Sequence, residues 1–256
     1  MFIQTTDAKI FAISFGSTTA PAIVAIGGWI GSWELWLEPF SILSQTWHTI
    51  AYDHRGAGIT VAPLESITLE QMVDDVFSVL DAYQIERCVL AAESAGALTA
   101  LMAALKKPDR IAGLVIVDGN YFQAKSVEKS SFLTGLQTNF DATLNYFIKA
   151  CVPESDSEHI KGWGLKILQR ASQDAAIALY NAVYGVDLRH EFARVMQPTL
   201  ILHGDKDVIV PIESAMWLAK TLPQSKLVIL EGAGHVPTVT CPEVVAREIT
   251  SFFEQQ

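Results

Sequence analysis

Short apolar runs alternate with amphipathic stretches along almost the whole chain. Phe2–Thr5 and Lys9–Phe15, joined through Thr6-Asp7-Ala8, read as a leading antiparallel hairpin. Apolar runs follow at Ile23–Ile26, Thr49–Tyr52, Cys88–Ala92 and Gly113–Val117, then at Thr199–Leu202 and Leu227–Leu230. Continuous runs of this kind predict strands buried on both faces, as in a parallel sheet flanked by helices. Between them, Thr68–Tyr83 opens with a capping-box pattern, Thr68-x-x-Gln71, and places Leu69, Met72, Val73, Val76, Leu80 and Tyr83 at helical spacing. Ser94–Lys106 predicts a helix of small residues that stops before Pro108, and Glu213–Leu222 and Glu243–Phe253 predict two more. The pattern is that of one doubly wound, mostly parallel α/β domain.

One stretch breaks the rhythm. Roughly eighty residues separate Val117 from Thr199, too many for a simple strand-to-helix connection. Thr143–Cys151, Glu158–Ala171 and Ser172–Tyr184 within it predict helices rich in Leu, Ile and aromatic residues. The expected organisation is a core of residues 1–120 and 192–256 with a helical cap insertion at 121–191, placed to cover the carboxyl edge of the sheet.

Composition narrows the function classes. With 256 residues, 50% hydrophobic and 18% charged, the chain has enough apolar surface for a large core and is not a disordered type. Its 18 Lys and Arg against 28 Asp and Glu give a net charge of −10, which repels phosphate backbones. No nucleic acid is expected as a partner. The apolar stretches Pro21–Trp33 and Ala95–Leu105 are too short or too broken by Gly and Thr to span a membrane. The first residues lack the basic head and apolar region of a signal peptide, and three widely spaced cysteines, Cys88, Cys151 and Cys241, suit a reducing compartment. A cytoplasmic location is expected.

The chemistry starts at Ser94. The strand ending at Ala92 runs through Glu93-Ser94-Ala95-Gly96 directly into a helix, with small residues two before and two after the serine. Strand, tight turn and helix make a nucleophile elbow, where small flanks relieve crowding and the helix N-terminus favours developing negative charge. An N-cap serine would occupy the same place, so the elbow needs partners. By this segment the chain resembles the α/β-hydrolase fold superfamily, with Ala92 standing where G-x-S-x-G has its first glycine. The resemblance implies a base after the last strand, matched by His235 in Glu231-Gly232-Ala233-Gly234-His235. His48, His54, His159, His190 and His203 read mostly as surface loop residues. It also implies an acid in an H-G-x-x-D-x-x-x-P segment, matched by His203-Gly204-Asp205-Lys206-Asp207 and Pro211, which gives Asp207, with Asp205 bracing the turn. The order Ser94, Asp207, His235 is that of the superfamily. Asp118, at the end of Leu114–Val117, is the alternative acid, because some relatives carry theirs there.

Gly27-Gly28-Trp29-Ile30-Gly31 resembles the family's H-G-x-x-G segment with Gly27 in the histidine position. That match implies an oxyanion hole formed by the backbone N–H groups of Trp29 and Ala95, with the Trp29 indole lining the pocket. Tyr52-Asp53-His54-Arg55-Gly56-Ala57-Gly58 resembles the family's D-x-R-G-x-G turn, taken as structural, with Asp53 and Arg55 pinning it. A metal reading of His203, Asp205 and Asp207 has no fixed ligand spacing behind it, and neither metal nor cofactor is expected.

A serine nucleophile implies attack on an acyl carbon, and Phe132, Phe140, Tyr146, Phe147, Trp163 and Tyr180 in the insertion suit an apolar substrate. The resemblance therefore implies a serine hydrolase of a small, mainly apolar ester or lactone, working through an acyl-enzyme on Ser94. Carbon–carbon bond hydrolysis and perhydrolysis use the same triad. A ligand-sensing receptor with slow turnover is the reading that would require a protein partner.

Overall fold

In the computed structural model, which describes residues 1–122 and 130–254, eight strands form one sheet. They are β1 (Phe2–Gln4), β2 (Lys9–Phe15), β3 (Ala22–Ile26), β4 (His48–Tyr52), β5 (Cys88–Glu93), β6 (Ile111–Val117), β7 (Thr199–Gly204) and β8 (Ser225–Leu230). Their order across the sheet is β1-β2-β4-β3-β5-β6-β7-β8. The β1–β2 and β2–β4 pairs are antiparallel and every later pair is parallel.

Side-chain alternation along the strands feeds two cores. Ile23 and Ala25 of β3, with Val89 and Ala91 of β5, join one face with Phe40 and Leu43 of α1 (Leu37–Leu43) and Val245 and Ile249 of α10 (Pro242–Phe253). Val24 and Ile26, with Leu90 and Ala92, face the other way, onto α2 (Leu69–Ala82), α3 (Gly96–Lys106) and α8 (Ile212–Thr221). Helices on both faces are what make a parallel sheet stable, since each strand hides both rows of side chains. Only β8 departs from the expected two-sided burial: it is an edge strand, with Lys226 and Ile229 exposed.

The strand order decides where a site can form. From β3 the chain steps to β4 on one side, then crosses to β5 on the other and continues outward through β6, β7 and β8. Winding therefore reverses between β3 and β5, and loops leaving their carboxyl ends diverge to open a crevice there. Gly27–Trp29 leaves β3 and Ser94 leaves β5 at that crevice.

Among the described residues, four α-helices occupy the long connection between β6 and β7: α4 (Ser131–Thr138), α5 (Phe140–Cys151), α6 (Glu158–Leu168) and α7 (Gln173–Val183). Residues 123–129 of the expected 121–191 insertion lie outside the described residues. The sequence pattern did not predict α1 or α4. The first is under two turns long with Pro39 in its opening turn, and the second carries Gly135 between threonines, so neither shows a readable period. The short α9 (Pro237–Thr240) follows the histidine loop. Among the described residues, no helix is long and apolar enough to cross a membrane, and all three cysteines are free.

Candidate active site

Ser94 sits in the left-handed region, at φ 49°. A non-glycine residue there is strained by about 1–3 kcal/mol and persists only where its surroundings hold it. Its N–H donates to the Val117 carbonyl at 2.9 Å, and its own carbonyl accepts from Asn120 N–H at 2.9 Å. Space is tight: a Cβ on Gly96 would lie 2.7 Å from the Gly27 carbonyl oxygen, so the helix can approach β3 only with glycine at that position. Ala92, by contrast, points its methyl into the core and fits. Ser94 is not an N-cap. Ala95 holds that position, and the serine Oγ turns to His235.

His235 Nε2 lies 2.9 Å from Ser94 Oγ, and His235 Nδ1 lies 2.8 Å from Asp207 Oδ2. An ionised carboxylate only accepts, so Nδ1 carries the hydrogen and Nε2 presents its lone pair to the serine hydroxyl. Asp207 Oδ1 meanwhile accepts the N–H groups of Ile209 and Val210 at 2.7 and 3.0 Å. Burial pushes the Asp207 carboxyl up, but the hydrogen bond and charge of His235 and the two backbone donors outweigh it and hold Asp207 below the usual carboxylate range. The histidine loop is fixed from two sides. His235 N–H donates to the Cys151 carbonyl at the end of α5 at 2.8 Å and Gly234 N–H to Glu154, just past that helix, at 2.7 Å, while Asp205 accepts Gly232 N–H at 2.7 Å.

The Gly27–Gly31 turn lies directly against the serine: a Cβ on Gly28 would be 3.1 Å from Ser94 Cβ. Among the described residues, no acceptor takes the backbone N–H of Trp29 or of Ala95. The Trp29 indole N–H donates to the Ala176 carbonyl of α7 at 2.8 Å, and its ring meets Phe132 and Phe147 edge-on. His54 Nε2 lies 3.0 Å from the Gly28 carbonyl oxygen. These contacts anchor the turn to the inserted helices and to the β4 loop.

Several expectations are corrected. His48, His54 and His203 are buried rather than surface loop residues: His54 Nε2 meets the Gly28 carbonyl, His203 Nε2 the Val210 carbonyl, and the His48 ring meets Tyr83 edge-on. Asp53 and Arg55 hold their loop through separate partners. Arg55 makes a two-point bond to Asp75 at 2.6 and 2.9 Å and reaches Asp7 and Ser66, while Asp53 accepts the N–H groups of Trp33 and Ile59. Gly58, at φ 55°, is required there because any Cβ would overlap the Asp53 carboxylate at 2.0 Å. Of the six aromatics, Phe132, Phe147 and Tyr180 face the serine, whereas Tyr146 is 76% exposed and Trp163 lines a separate groove with Glu34 and His159. Asp118 is buried beside His203 and Asp207, and the three have potential ligand atoms within 4.8 Å of one another. Asp205 is turned away from that cluster onto Gly232.

Two spaces open from Ser94. One lies beside His235 and is walled by Leu35, Phe147, Ile148, Ile167 and Leu168. The other is walled by Trp29, Phe132, Tyr180 and Val183, with Ser94 and Asn120 among its polar groups. No lysine or arginine lines either space among the described residues.

Glu93 borders the first space and accepts from Thr238 Oγ1 at 3.1 Å. Burial, partly offset by Thr238 and reinforced by the Asp207 charge, pushes its carboxyl up to about 8 from 4.5. A raised native value means that the folded state keeps a proton that the unfolded chain releases. Stability should therefore fall as pH rises from about 4.5 to about 8. Glu93→Gln should flatten this fall in denaturant midpoints taken at pH 5 and pH 8 (about three units apart). An unchanged slope would mean that Glu93 is ionised in the fold.

Residues 21–150 match the model of the alpha/beta hydrolase fold family, and residues 184–256 match that of the TAP-like proteins. Among curated relatives, the "Putative carbamate hydrolase RutD" of Pseudomonas syringae pv. syringae (strain B728a) is 26% identical over 246 residues, covering 93% of this chain and 95% of that protein. A bromoperoxidase from Bacillus anthracis superposes with a TM-score of 0.89 at 23% identity, covering 96% of each chain. The esterase EaEST from Exiguobacterium antarcticum superposes at 0.90 with 22% identity, covering 99% of this chain and 98% of its own. The elbow, the strand order and these matches agree: the chain belongs to the α/β-hydrolase fold family and is an enzyme of the hydrolase class.

Proposed function

We propose that the enzyme hydrolyses a small, mainly apolar ester or lactone through an acyl-enzyme on Ser94. The observation that carries this reading is the unbroken chain Ser94 Oγ–His235 Nε2 at 2.9 Å and His235 Nδ1–Asp207 Oδ2 at 2.8 Å. His235 takes the hydroxyl proton as Ser94 Oγ attacks the acyl carbon, and Asp207 stabilises the imidazolium so formed. The unclaimed N–H groups of Trp29 and Ala95 receive the oxyanion, roughly three kcal/mol of transition-state stabilisation per donor. His235 then protonates the leaving oxygen. Water, deprotonated by the same histidine, releases the acid and restores the serine.

The inserted helices act as a cap that sets substrate class. A free carbamate is an anion, and the two apolar spaces offer it no cationic side chain, whereas a neutral ester or lactone needs none. The substrate is a small molecule, and the scheme uses neither cofactor nor protein partner. A fluorophosphonate should label Ser94, seen by peptide mapping after intact-mass analysis, and labelling should abolish hydrolysis of aryl esters graded by acyl length. Label on another serine, or full activity in labelled protein, would remove Ser94 as the nucleophile.

A further inference from the structure

His54 follows β4 and is buried, yet the proposed acyl transfer gives it no task. Its Nε2 lies 3.0 Å from the Gly28 carbonyl oxygen, and its Nδ1 lies 3.1 Å from the Arg55 carbonyl oxygen. A carbonyl oxygen only accepts. In either neutral tautomer one ring nitrogen would aim its lone pair at one of these oxygens, a repulsive contact in a buried place. Only the imidazolium, with a hydrogen on each nitrogen, satisfies both carbonyls.

A buried cation needs a counter-charge, and the neighbourhood supplies one. Arg55 is taken by Asp75 and Asp7, and Arg170 by Glu34. The Asp53 carboxylate, 1% exposed, accepts the backbone N–H groups of Trp33 and Ile59. Among the described residues it forms no ion pair with a lysine or arginine, and His54 is its neighbour in the chain. The His54 charge acts on Asp53 and on Asp75 of α2.

We propose that His54 is a buried imidazolium and a positioning residue, which holds and polarises the Gly28–Trp29 peptide so that the Trp29 N–H receives the oxyanion more strongly. The kinetic part of this proposal rests on the acyl-transfer reading; the protonation state does not.

One peptide unit joins the histidine to the chemistry. Gly28 contributes its carbonyl and Trp29 its N–H, on opposite edges of one trans plane. A hydrogen bond to the carbonyl draws electron density away from the nitrogen and makes the N–H a better donor. The Gly28 carbonyl also accepts Gly31 N–H at 3.1 Å, so its two lone pairs are both used and the turn is held from within and from β4. His54 further lines, with Met72, Leu179 and Val183, a small space that reaches behind both Trp29 and Ala95. Among the described residues no other titratable side chain lines that space. A positive charge at so apolar a place is little screened, and it favours the oxygen that gains negative charge in front of the two N–H groups.

Nitrogen NMR of the intact enzyme at neutral pH should show both ring nitrogens of His54 protonated, with His54→Gln assigning the signals by their loss. His54→Gln keeps an N–H donor but no charge, and should lower kcat about fivefold with little change in KM. His54→Ala, which leaves the Gly28 carbonyl without that donor, should lose about tenfold or more. An aryl boronic acid forms an anionic tetrahedral adduct on Ser94, so its affinity should fall by the same factor as kcat in each variant. A lone-pair nitrogen assigned to His54 would overturn the proposal whatever the kinetics. Wild-type kcat and boronate affinity in His54→Gln would overturn the positioning role, because the charge would then be idle. A rise in KM equal to the loss of boronate affinity would overturn it too, since the turn would merely have moved. If Ser94 escapes labelling while both nitrogens are protonated, the acyl-transfer reading fails and the His54 imidazolium stands.

Discussion

Ser94→Ala and His235→Ala should each lower kcat/KM by roughly 10⁴-fold or more, and the double variant should be little worse than either. The reason is geometric. With Nε2 and Oγ 2.9 Å apart, each atom has its proposed role only through the other: the hydroxyl is a poor nucleophile without the base, and the base has no proton to take without the hydroxyl. A loss of 10⁴ is about 5.4 kcal/mol of transition-state stabilisation, and what survives comes from the N–H groups of Trp29 and Ala95 and from substrate binding. Both variants should fold, since Oγ is not a cap and the His235 loop is held by its backbone, through His235 N–H on the Cys151 carbonyl and Gly234 N–H on Glu154. The measurement is steady-state hydrolysis of one aryl ester by the three variants and the wild type. Losses that multiply in the double variant would mean that the two residues serve separate steps.

The contrast between what the sequence revealed and what it hid follows the range of each signal. Strands such as Ile23–Ile26 and Cys88–Ala92 announced themselves because burial on both faces demands an unbroken apolar run, and α2 because its Thr68 cap accepts Gln71 N–H as the pattern implied. The elbow and the glycine-bearing loops were legible for the same local reason: a serine at φ 49° between strand and helix needs small neighbours within two residues. Contacts across long sequence separations leave no such trace. Nothing near Arg55 indicated that its partners would be Asp75 and Asp7 rather than Asp53, two residues away. The hold on the His235 loop is equally silent, because one bond joins backbone groups of His235 and Cys151 and the other joins Gly234 N–H to the Glu154 carboxylate, 80 residues away in the chain. His203 was visible as part of a motif, yet its burial between Val210 and Asp118 depends on two strands meeting.

The inserted helices show the limit in another way. Their aromatic residues were evident in the sequence, but helical period alone did not separate Phe132, Phe147 and Tyr180, which face Ser94, from Tyr146, which faces solvent. That division is made by Trp29: its indole binds the Ala176 carbonyl and its ring packs on Phe132 and Phe147, so one residue of the β3 turn fixes which faces of α4, α5 and α7 look inward. The same indole therefore joins the two halves of the proposed chemistry, the donors over the serine and the walls that select the substrate.

Asp207→Asn should lower kcat by about 10³- to 10⁴-fold while leaving the fold intact, and Asp118→Asn should be far milder. The hydrogen bonds around Asp207 explain why so small a change is so damaging. Oδ1 accepts the N–H groups of Ile209 and Val210, so the oxygen of the new amide must stay on that side. Its NH₂ then faces His235 Nδ1, where a donor is the wrong partner. The imidazole can satisfy it only by presenting its lone pair at Nδ1 and moving its hydrogen to Nε2, the nitrogen aimed at Ser94 Oγ. Two donors would then meet at the serine and no base would remain. In the residual activity, the acid limb of kcat/KM should shift to lower pH, because the imidazolium has lost the charge that stabilised it. Pre-steady-state acylation of one aryl ester by both variants, read from pH 5 to 9 (about two units either side of neutral), measures rate and midpoint together. A loss under about tenfold in Asp207→Asn, or a greater loss in Asp118→Asn, would move the acid from the β7 loop to the end of β6.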